Sequence, residues 1–151
     1  MDVLLKILSG IAIATVSAVI TVRLSTQKFR TERWWDKKVG AYERVLEAFH
    51  NAKKFNSEHL RAAQLASDLS DEREAELTKL ANDARDEIAR ASDIGSFVLS
   101  NEAQEILSNY SREIDSVPRQ DTWWEHLDIE WEITNRRMKE FIAEAHRDLK
   151  R

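Results

Sequence analysis

The 151-residue sequence contains no cysteine, one proline and three glycines. Without cysteine the chain has no thiol nucleophile, and it has neither a Gly-x-Ser-x-Gly elbow nor a glycine-rich phosphate loop. Because sheets need frequent turns, scarce glycine and proline, with charged residues at 33%, favour long helices. These absences predict an all-α chain that is not an enzyme and binds no cofactor.

The sequence does contain a charge-free apolar run near its start, residues 7–22. Sixteen helical residues span about 24 Å, and apolar residues 3–5 and 24 extend the run toward the roughly 30 Å of a bilayer's hydrocarbon core. Lys6 and Arg23 flank the run and can extend their charges toward the lipid headgroups. The run therefore predicts a transmembrane anchor over residues 1–24.

A basic cluster follows this run directly. Residues 23–38 carry two anions and six cations, which are Arg23, Lys28, Arg30, Arg33, Lys37 and Lys38. Positive charge beside an apolar span stays on the cytoplasmic side, where anionic lipids attract each cation by about 1 kcal/mol. The cluster predicts a basic juxtamembrane stalk over residues 25–38 that contacts membrane lipids, with the N-terminus outside and the rest of the chain in the cytoplasm.

Two other interpretations of the N-terminal segment remain open. Val16-Ser17-Ala18 is an acceptable signal-peptide cleavage site, and cleavage there would give an exported, envelope-facing helical bundle that starts at Val19. The anchored chain could also be a small membrane-active effector, such as a toxin or a phage-defence component.

Small residues recur every four positions within the apolar run, at Gly10, Ala14 and Ala18. This spacing places them on one helix face, where small side chains let two membrane helices approach closely. The pattern predicts a homo-oligomer that associates through this face.

Residues 39–151 are acidic, with sixteen cations and twenty-four anions. An acidic surface cannot neutralise phosphates, which argues against a nucleic-acid partner. Apolar residues at alternating three and four spacing predict an antiparallel three- to four-helix bundle over this region, which the transmembrane helix enters without a break. The predicted buried positions are Trp35, Val39, Tyr42, Leu46, Phe49, Leu60, Leu77, Leu80, Ala84, Ile88, Ala91, Val98, Ala103, Leu107, Tyr110, Ile114, Val117, Trp124, Leu127, Trp131, Thr134, Met138, Phe141, Ala145 and Leu149.

Capping residues predict where the later helices begin. Ser70 or Asp71 can cap the second helix, Ser100 or Asn101 the third, and Thr122-x-x-Glu125 has capping-box spacing before the fourth. The sequence leaves open whether the third helix continues the second or reverses its direction.

Two Trp pairs are the most distinctive residues after the anchor. Adjacent helical side chains point about 100° apart, so one ring of each pair can enter the core while the other faces outward. The apolar stripes assign Trp35 and Trp124 to the core. Trp34 and Trp123 are the candidate interface residues, since Trp is enriched at binding hot spots and membrane boundaries.

The histidines give no metal-site pattern. Glu47-x-x-His50 has the spacing used in di-metal helical bundles, but the chain has no second copy and both residues flank the apolar stripe. His59, His126 and His146 have no ligand spacing between them and are predicted at the surface. The prediction is therefore no metal site.

Two segments, RWWDKKVGAYERVLEAF (residues 33–49) and IGSFVLSNEAQEIL (residues 94–107), resemble parts of uncharacterised bacterial single-pass inner-membrane proteins. The resemblance implies a bacterial inner-membrane location and a helical cytoplasmic domain, and it carries no catalytic residues. Together these observations predict a non-enzymatic, membrane-anchored scaffold, adaptor or sensor subunit that self-associates and contacts a protein partner that the sequence does not identify.

Overall fold

The computed structural model describes the backbone of residues 2–150 and the side chains of residues 25, 29–95 and 97–150. Its helices are α1 (Asp2–Gln64), α2 (Asp71–Ile94), a short 3-10 helix (Gly95–Phe97), α3 (Asn101–Asp115) and α4 (Trp123–Asp148). Residues 2–150 contain no strand. The all-α prediction is confirmed.

The chain divides into two compact units, Met1–Lys37 and Lys38–Arg151, and the boundary between them falls within α1. In the first unit the described side chains are exposed, and the Arg33 guanidinium lies 4.8 Å from the centre of the Phe29 ring. The second unit contains the core and is called the bundle below.

Contacts between helices fix their directions in the bundle. Lys38 of α1 bonds Asp148 of α4, while Ser57 of α1 bonds Trp131 of α4, so these two helices are antiparallel. Salt bridges from Arg44 to Glu87 and from Arg73 to Glu58 show that α2 is also antiparallel to α1.

The third helix reverses the second, which decides the question that the sequence left open. Tyr42 lies beside Ser100 and Phe49 lies against Tyr110, so α3 runs parallel to α1. The reversal is made by the 3-10 helix, where a Cβ on Gly95 would lie 2.8 Å from the Leu99 side chain. The bundle is therefore an up-down-up-down arrangement of four helices.

Aromatic rings from three helices form the centre of the core. The Phe49 ring lies 5.0 Å from Tyr110 and 5.8 Å from Phe141, and Tyr42 lies 5.3 Å from Phe141. Smaller side chains from all four helices complete the core cluster, among them Val45, Ala84, Ile88, Ala103, Leu107 and Ala145. Most of these positions were predicted from the apolar stripes, and their burial is confirmed.

The prediction that Trp35 and Trp124 enter the core is wrong. The two side chains are 52% and 45% exposed. Trp35 precedes Ala41, the first buried residue among those described, and Trp124 lies in the first turn of α4, before the buried stripe begins at Leu127. In both helices the apolar spacing therefore extends beyond the residues that are buried.

The predicted caps of α2, α3 and α4 are confirmed. Ser70 accepts from the backbone N–H of Arg73, and Ser100 accepts from that of Ala103. Thr122 and Glu125 form the reciprocal capping box. Each cap satisfies backbone donors that a helix start leaves unpaired.

The end of α1 has a strained cap. Ala66 has φ 48°, in the left-handed region, and Ser67 N–H donates to Ala62 O at 3.0 Å while Ala66 N–H donates to Ala63 O. This is the Schellman arrangement, in which glycine is usual because a Cβ is unfavourable at positive φ.

The structure does not describe the side chains of the predicted transmembrane anchor, residues 1–24. The predicted association residues Gly10, Ala14 and Ala18 belong to this segment. The side chains of Arg23 and Lys28 are not described either. Across the described residues, no helix has a stretch of sufficient length and apolarity to cross a membrane. The anchor therefore stays a prediction.

Replacing Ala66 with glycine is expected to raise the free energy of unfolding by about 0.5–1 kcal/mol, because glycine adopts positive φ without steric cost. The matched control is Ala63→Gly, three residues earlier in the last turn of α1, which is expected to lower it by a similar amount. Chemical denaturation of the full chain, followed by circular dichroism, measures both. A loss of stability in Ala66→Gly would contradict the strained cap.

Candidate functional site

The carboxylate of Asp148 lies at the centre of a buried polar cluster at one end of the bundle. Lys38 Nζ donates to Asp148 Oδ1 at 2.8 Å, and the Tyr42 hydroxyl donates to Oδ2 at 2.7 Å. Asp148 is 8% exposed and Tyr42 is 1% exposed. A buried ion pair is favourable only when further hydrogen bonds satisfy its remaining lone pairs, and Tyr42 supplies one of these bonds.

Ser100 extends this cluster from α4 to α3. Its hydroxyl donates to Glu144 Oε1 at 2.8 Å and accepts the Ala103 N–H at 3.0 Å as the cap of α3. Its backbone N–H donates to the Tyr42 oxygen at 3.3 Å. Glu144, which is 2% exposed, also pairs with Arg147. The cluster thus joins α1, the start of α3 and the last turns of α4.

Burial, and after it the hydrogen bond to Asp148, raise the pKa of Tyr42 from its ordinary 10.0 to about 12. A phenol with this pKa stays protonated at neutral pH, where it can donate a hydrogen bond and cannot act as a base. In this protonated state Tyr42 donates to Asp148 and so links α1 to α4.

A second polar cluster surrounds Glu130, which is buried on α4. The Glu130 carboxylate accepts from Arg85 at 3.1 Å and lies 3.4 Å from His126 Nε2. Thr134 donates to the Glu130 carbonyl and lies 3.4 Å from the Tyr110 hydroxyl. The cavity beside these groups measures about 10 Å³, which is too small for any ligand larger than a water molecule.

An ion cluster joins α3 to α4 nearer the surface. Glu113 accepts hydrogen bonds from both Arg136 and Arg137, and Arg137 also donates to Glu140. The Arg137 hydrogen bond lowers the pKa of the Glu113 carboxyl. This cluster fixes the pairing of the two helices.

The structure does not bring Glu47 and His50 into a cluster suited to a metal ion. Glu47 and His50 are exposed, and the described residues contain no group of three His, Cys, Asp or Glu side chains suited to a metal ion. The surface prediction for His59 is wrong: it is 8% exposed, with Nδ1 2.9 Å from Phe55 O and its ring 4.3 Å from the Phe55 ring. The Phe55 ring, one turn earlier on α1, covers the His59 ring.

The predicted interface Trp residues are both exposed, at 51% each. Trp34 belongs to the first unit, and Trp123 stacks on His126 at 5.9 Å in the bundle. Trp131 is held differently, because its Nε1 donates to Ser57 and Lys53 lies 5.3 Å from its ring.

Residues of the predicted basic cluster fall in both units of the chain. Arg30, Arg33 and Lys37 are exposed in the first unit. Lys38 belongs to the bundle and is bonded to Asp148, with 22% of its side chain exposed. The Lys38 ammonium group is therefore bound in the polar cluster around Asp148.

Sequence reasoning missed Glu144 and Asp148 as buried groups. The signal was present: they follow Phe141 by three and seven residues, which places all three on one helix face. Carboxylates at such positions must find donors on neighbouring helices, and Lys38 and Tyr42 are one turn apart on α1.

Both tyrosines are expected to ionise above pH 10.0 in the folded protein, because burial raises the pKa of Tyr42 and of Tyr110. The native state binds these protons more tightly than the unfolded state does. Their contribution to stability is therefore fully present below pH 10 and is lost as pH rises toward the pKa of about 12 for Tyr42. Phenolate absorbance, titrated in native buffer and in denaturant, measures the difference. Native ionisation near pH 10 would contradict the burial of the Tyr42 hydroxyl.

Tyr42→Phe is expected to lower the free energy of unfolding by about 1–3 kcal/mol, since it removes a donor from the buried Asp148 carboxylate. Tyr110→Phe is the matched control, because its hydroxyl has only a 3.4 Å contact with the neutral Thr134 hydroxyl. The control should lose about 1 kcal/mol or less. Equal losses of unfolding free energy in urea denaturation would contradict the larger contribution expected from the Tyr42 hydrogen bond to Asp148.

Comparison of the chain with models of protein families, with curated proteins and with solved structures finds no match. The resemblance to bacterial single-pass membrane proteins therefore stays a prediction.

Proposed function

We propose that the chain is a non-enzymatic, self-associating, single-pass protein of the bacterial inner membrane whose helical bundle is a scaffold, adaptor or sensor subunit on the cytoplasmic face. The observation that carries the proposal is the charge-free run of residues 7–22 followed at once by six cations. Such a run suits a bilayer's hydrocarbon core, and the cations suit the anionic inner leaflet.

The exposed basic residues support a membrane-surface role for residues 25–38. Arg30, Arg33 and Lys37 are exposed, so their charges are accessible to anionic lipids. Phe29 is 55% exposed and Trp34 51%, and aromatic rings of this kind are enriched at the level of the headgroups. Lipids are therefore the first partners of this segment.

The closed polar clusters of the bundle support a structural rather than a catalytic role. Asp148 is engaged by Lys38 and Tyr42, and Glu144 is engaged by Ser100 and Arg147. Groups committed in this way are not available to a substrate. The exposed surface, including Trp123, is what the bundle offers to a protein partner or a second copy.

The proposal is tested by placing one charge in the apolar run. The full-length chain is expected to float with membranes and to resist alkaline extraction, whereas Val16→Arg should release it, because a cation at the middle of a span costs about 2.5–3.5 kcal/mol. The matched control is Ala75→Arg at an exposed site in α2, which should remain in the membrane. Extraction of the unmodified chain by alkali would overturn the anchor.

The orientation is tested in the same membranes with a single cysteine, since the chain has none of its own. Ser67→Cys lies in the exposed turn after α1 and should react with a membrane-impermeant thiol reagent only after the cells are opened. Labelling of intact cells would place the bundle outside. A mature protein that starts at Val19 would favour the exported bundle instead.

A further inference from the structure

The cations of residues 29–37 lie on one side of α1. Successive residues of an α-helix are about 100° apart, so Arg30, Arg33 and Lys37 fall within about 60° of one another around the helix axis. The two anions of this segment, Glu32 and Asp36, fall outside that arc. The segment therefore has one cationic side, which is called the cationic face below.

The charge of the cationic face is not compensated by neighbouring side chains. Arg30, Arg33 and Lys37 are all exposed, and none of them forms an ion pair among the residues that the structure describes. The Arg33 guanidinium instead lies over the Phe29 ring, 4.8 Å from its centre. These cations differ in this respect from Lys38, which is paired with Asp148. Their charge is available to an anionic partner.

Two exposed aromatic rings border the cationic face. Phe29 lies about 40° from Arg33 on one side, and Trp34 lies about 40° from Arg30 on the other. Their exposed fractions are 55% and 51%. Trp35 lies about 170° from the middle of the cations, on the opposite side of the helix. Cations between two aromatic rings are complementary to a bilayer surface, where anionic headgroups and the preferred level of aromatic rings meet.

The position of the cationic face favours lipid over other anionic partners. Phe29 comes seven residues after Val22, the end of the charge-free run, which is about 10 Å along a helix. The headgroups are therefore the nearest anions once the predicted span crosses a bilayer. A nucleic acid would also meet residues 39–151, whose sixteen cations and twenty-four anions repel a polyanion.

A one-sided cationic face also fits the tilt of membrane helices. Such helices are tilted by about 20° on average from the bilayer normal. A tilted helix brings one side of its emerging segment nearer to the headgroups, whereas an upright helix presents all sides equally. Cations on one side therefore suit a helix that leans toward that side.

We infer that the cationic face binds the anionic headgroups of the bilayer surface and sets the side toward which α1 leans, with Trp35 directed away from lipid. The inference rests on the anchor in the proposed function. It adds to that function a preferred lipid class and a rotational orientation of α1 about its own axis.

Photo-crosslinking in vesicles of defined composition tests the inference. The full-length chain carries a benzophenone amino acid at position 34 or at position 35 and is reconstituted into equal parts of anionic phosphatidylglycerol and zwitterionic phosphatidylcholine. Position 34 should give several-fold more adduct with phosphatidylglycerol than position 35. The two positions are matched, because both are Trp residues of nearly equal exposure, 51% and 52%, on adjacent residues of one helix.

A charge variant tests whether the cations cause this difference. Arg33→Gln should lower the adduct yield from position 34 about fivefold, which is the factor that one cation contributes beside an anionic surface. The control Lys79→Gln removes an exposed cation from α2 and should leave the yield unchanged. Circular dichroism checks that both variants keep the helical content of the unmodified chain.

Three results would overturn the inference. The first is an equal yield of lipid adduct from positions 34 and 35, and the second is an unchanged yield from position 34 in vesicles of phosphatidylcholine alone. The third is that, in native membranes, the probe at position 34 labels a protein or a nucleic acid in place of lipid.

Alkaline extraction of the same vesicles separates this inference from the proposed anchor. A chain that resists extraction but gives equal yields at the two positions retains the anchor and loses the cationic face as a lipid site. A chain that alkali releases, but that labels phosphatidylglycerol preferentially from position 34, loses the anchor and retains the lipid site.

Discussion

The hydrogen bond from Tyr42 to Asp148 joins the first helix of the bundle to the last, and the rest of the bundle depends on it. The contact spans 106 residues of sequence and lies at 2.7 Å in a buried site. Around it, Lys38 supplies the counter-charge and Ser100 connects the start of α3. Because an unpaired carboxylate in such a site costs several kcal/mol, the helices can close only in the register that brings all of these groups together. An apolar contact at the same place would tolerate small shifts along the helix axis, whereas this cluster does not.

The two ends of the bundle differ in what they offer to other molecules. One end contains the closed polar cluster, and the exposed Phe97 of the 3-10 helix lies near it. The other end contains Trp123, Trp124 and Leu65, all exposed, next to the strained cap of α1. The buried acids at the first end are satisfied by Lys38, Tyr42, Ser100 and Arg147. A surface held in this way would suit the scaffold proposed above.

The regular parts of the fold could be predicted from the sequence, and the parts that depend on distant contacts could not. Ser70, Ser100 and the Thr122–Glu125 box mark helix starts because capping is local chemistry. The direction of α3 depends on how tightly Gly95 packs against Leu99, which spacing alone does not reveal. Trp35 and Trp124 continue the apolar stripes yet are about half exposed, because spacing does not show whether a side chain meets a partner. Asp148 and Glu144 were missed because a charged residue on a buried face is identified only together with its donors. The anchor over residues 1–24 stays a prediction.

The separation of 110 residues between Lys38 and Asp148 has a consequence for biosynthesis. The ribosome makes about 5–20 residues each second, so α1 waits roughly 5–20 seconds for the carboxylate that completes its polar cluster. During that interval the faces of Tyr42 and Phe49 that will meet Phe141 are still uncovered.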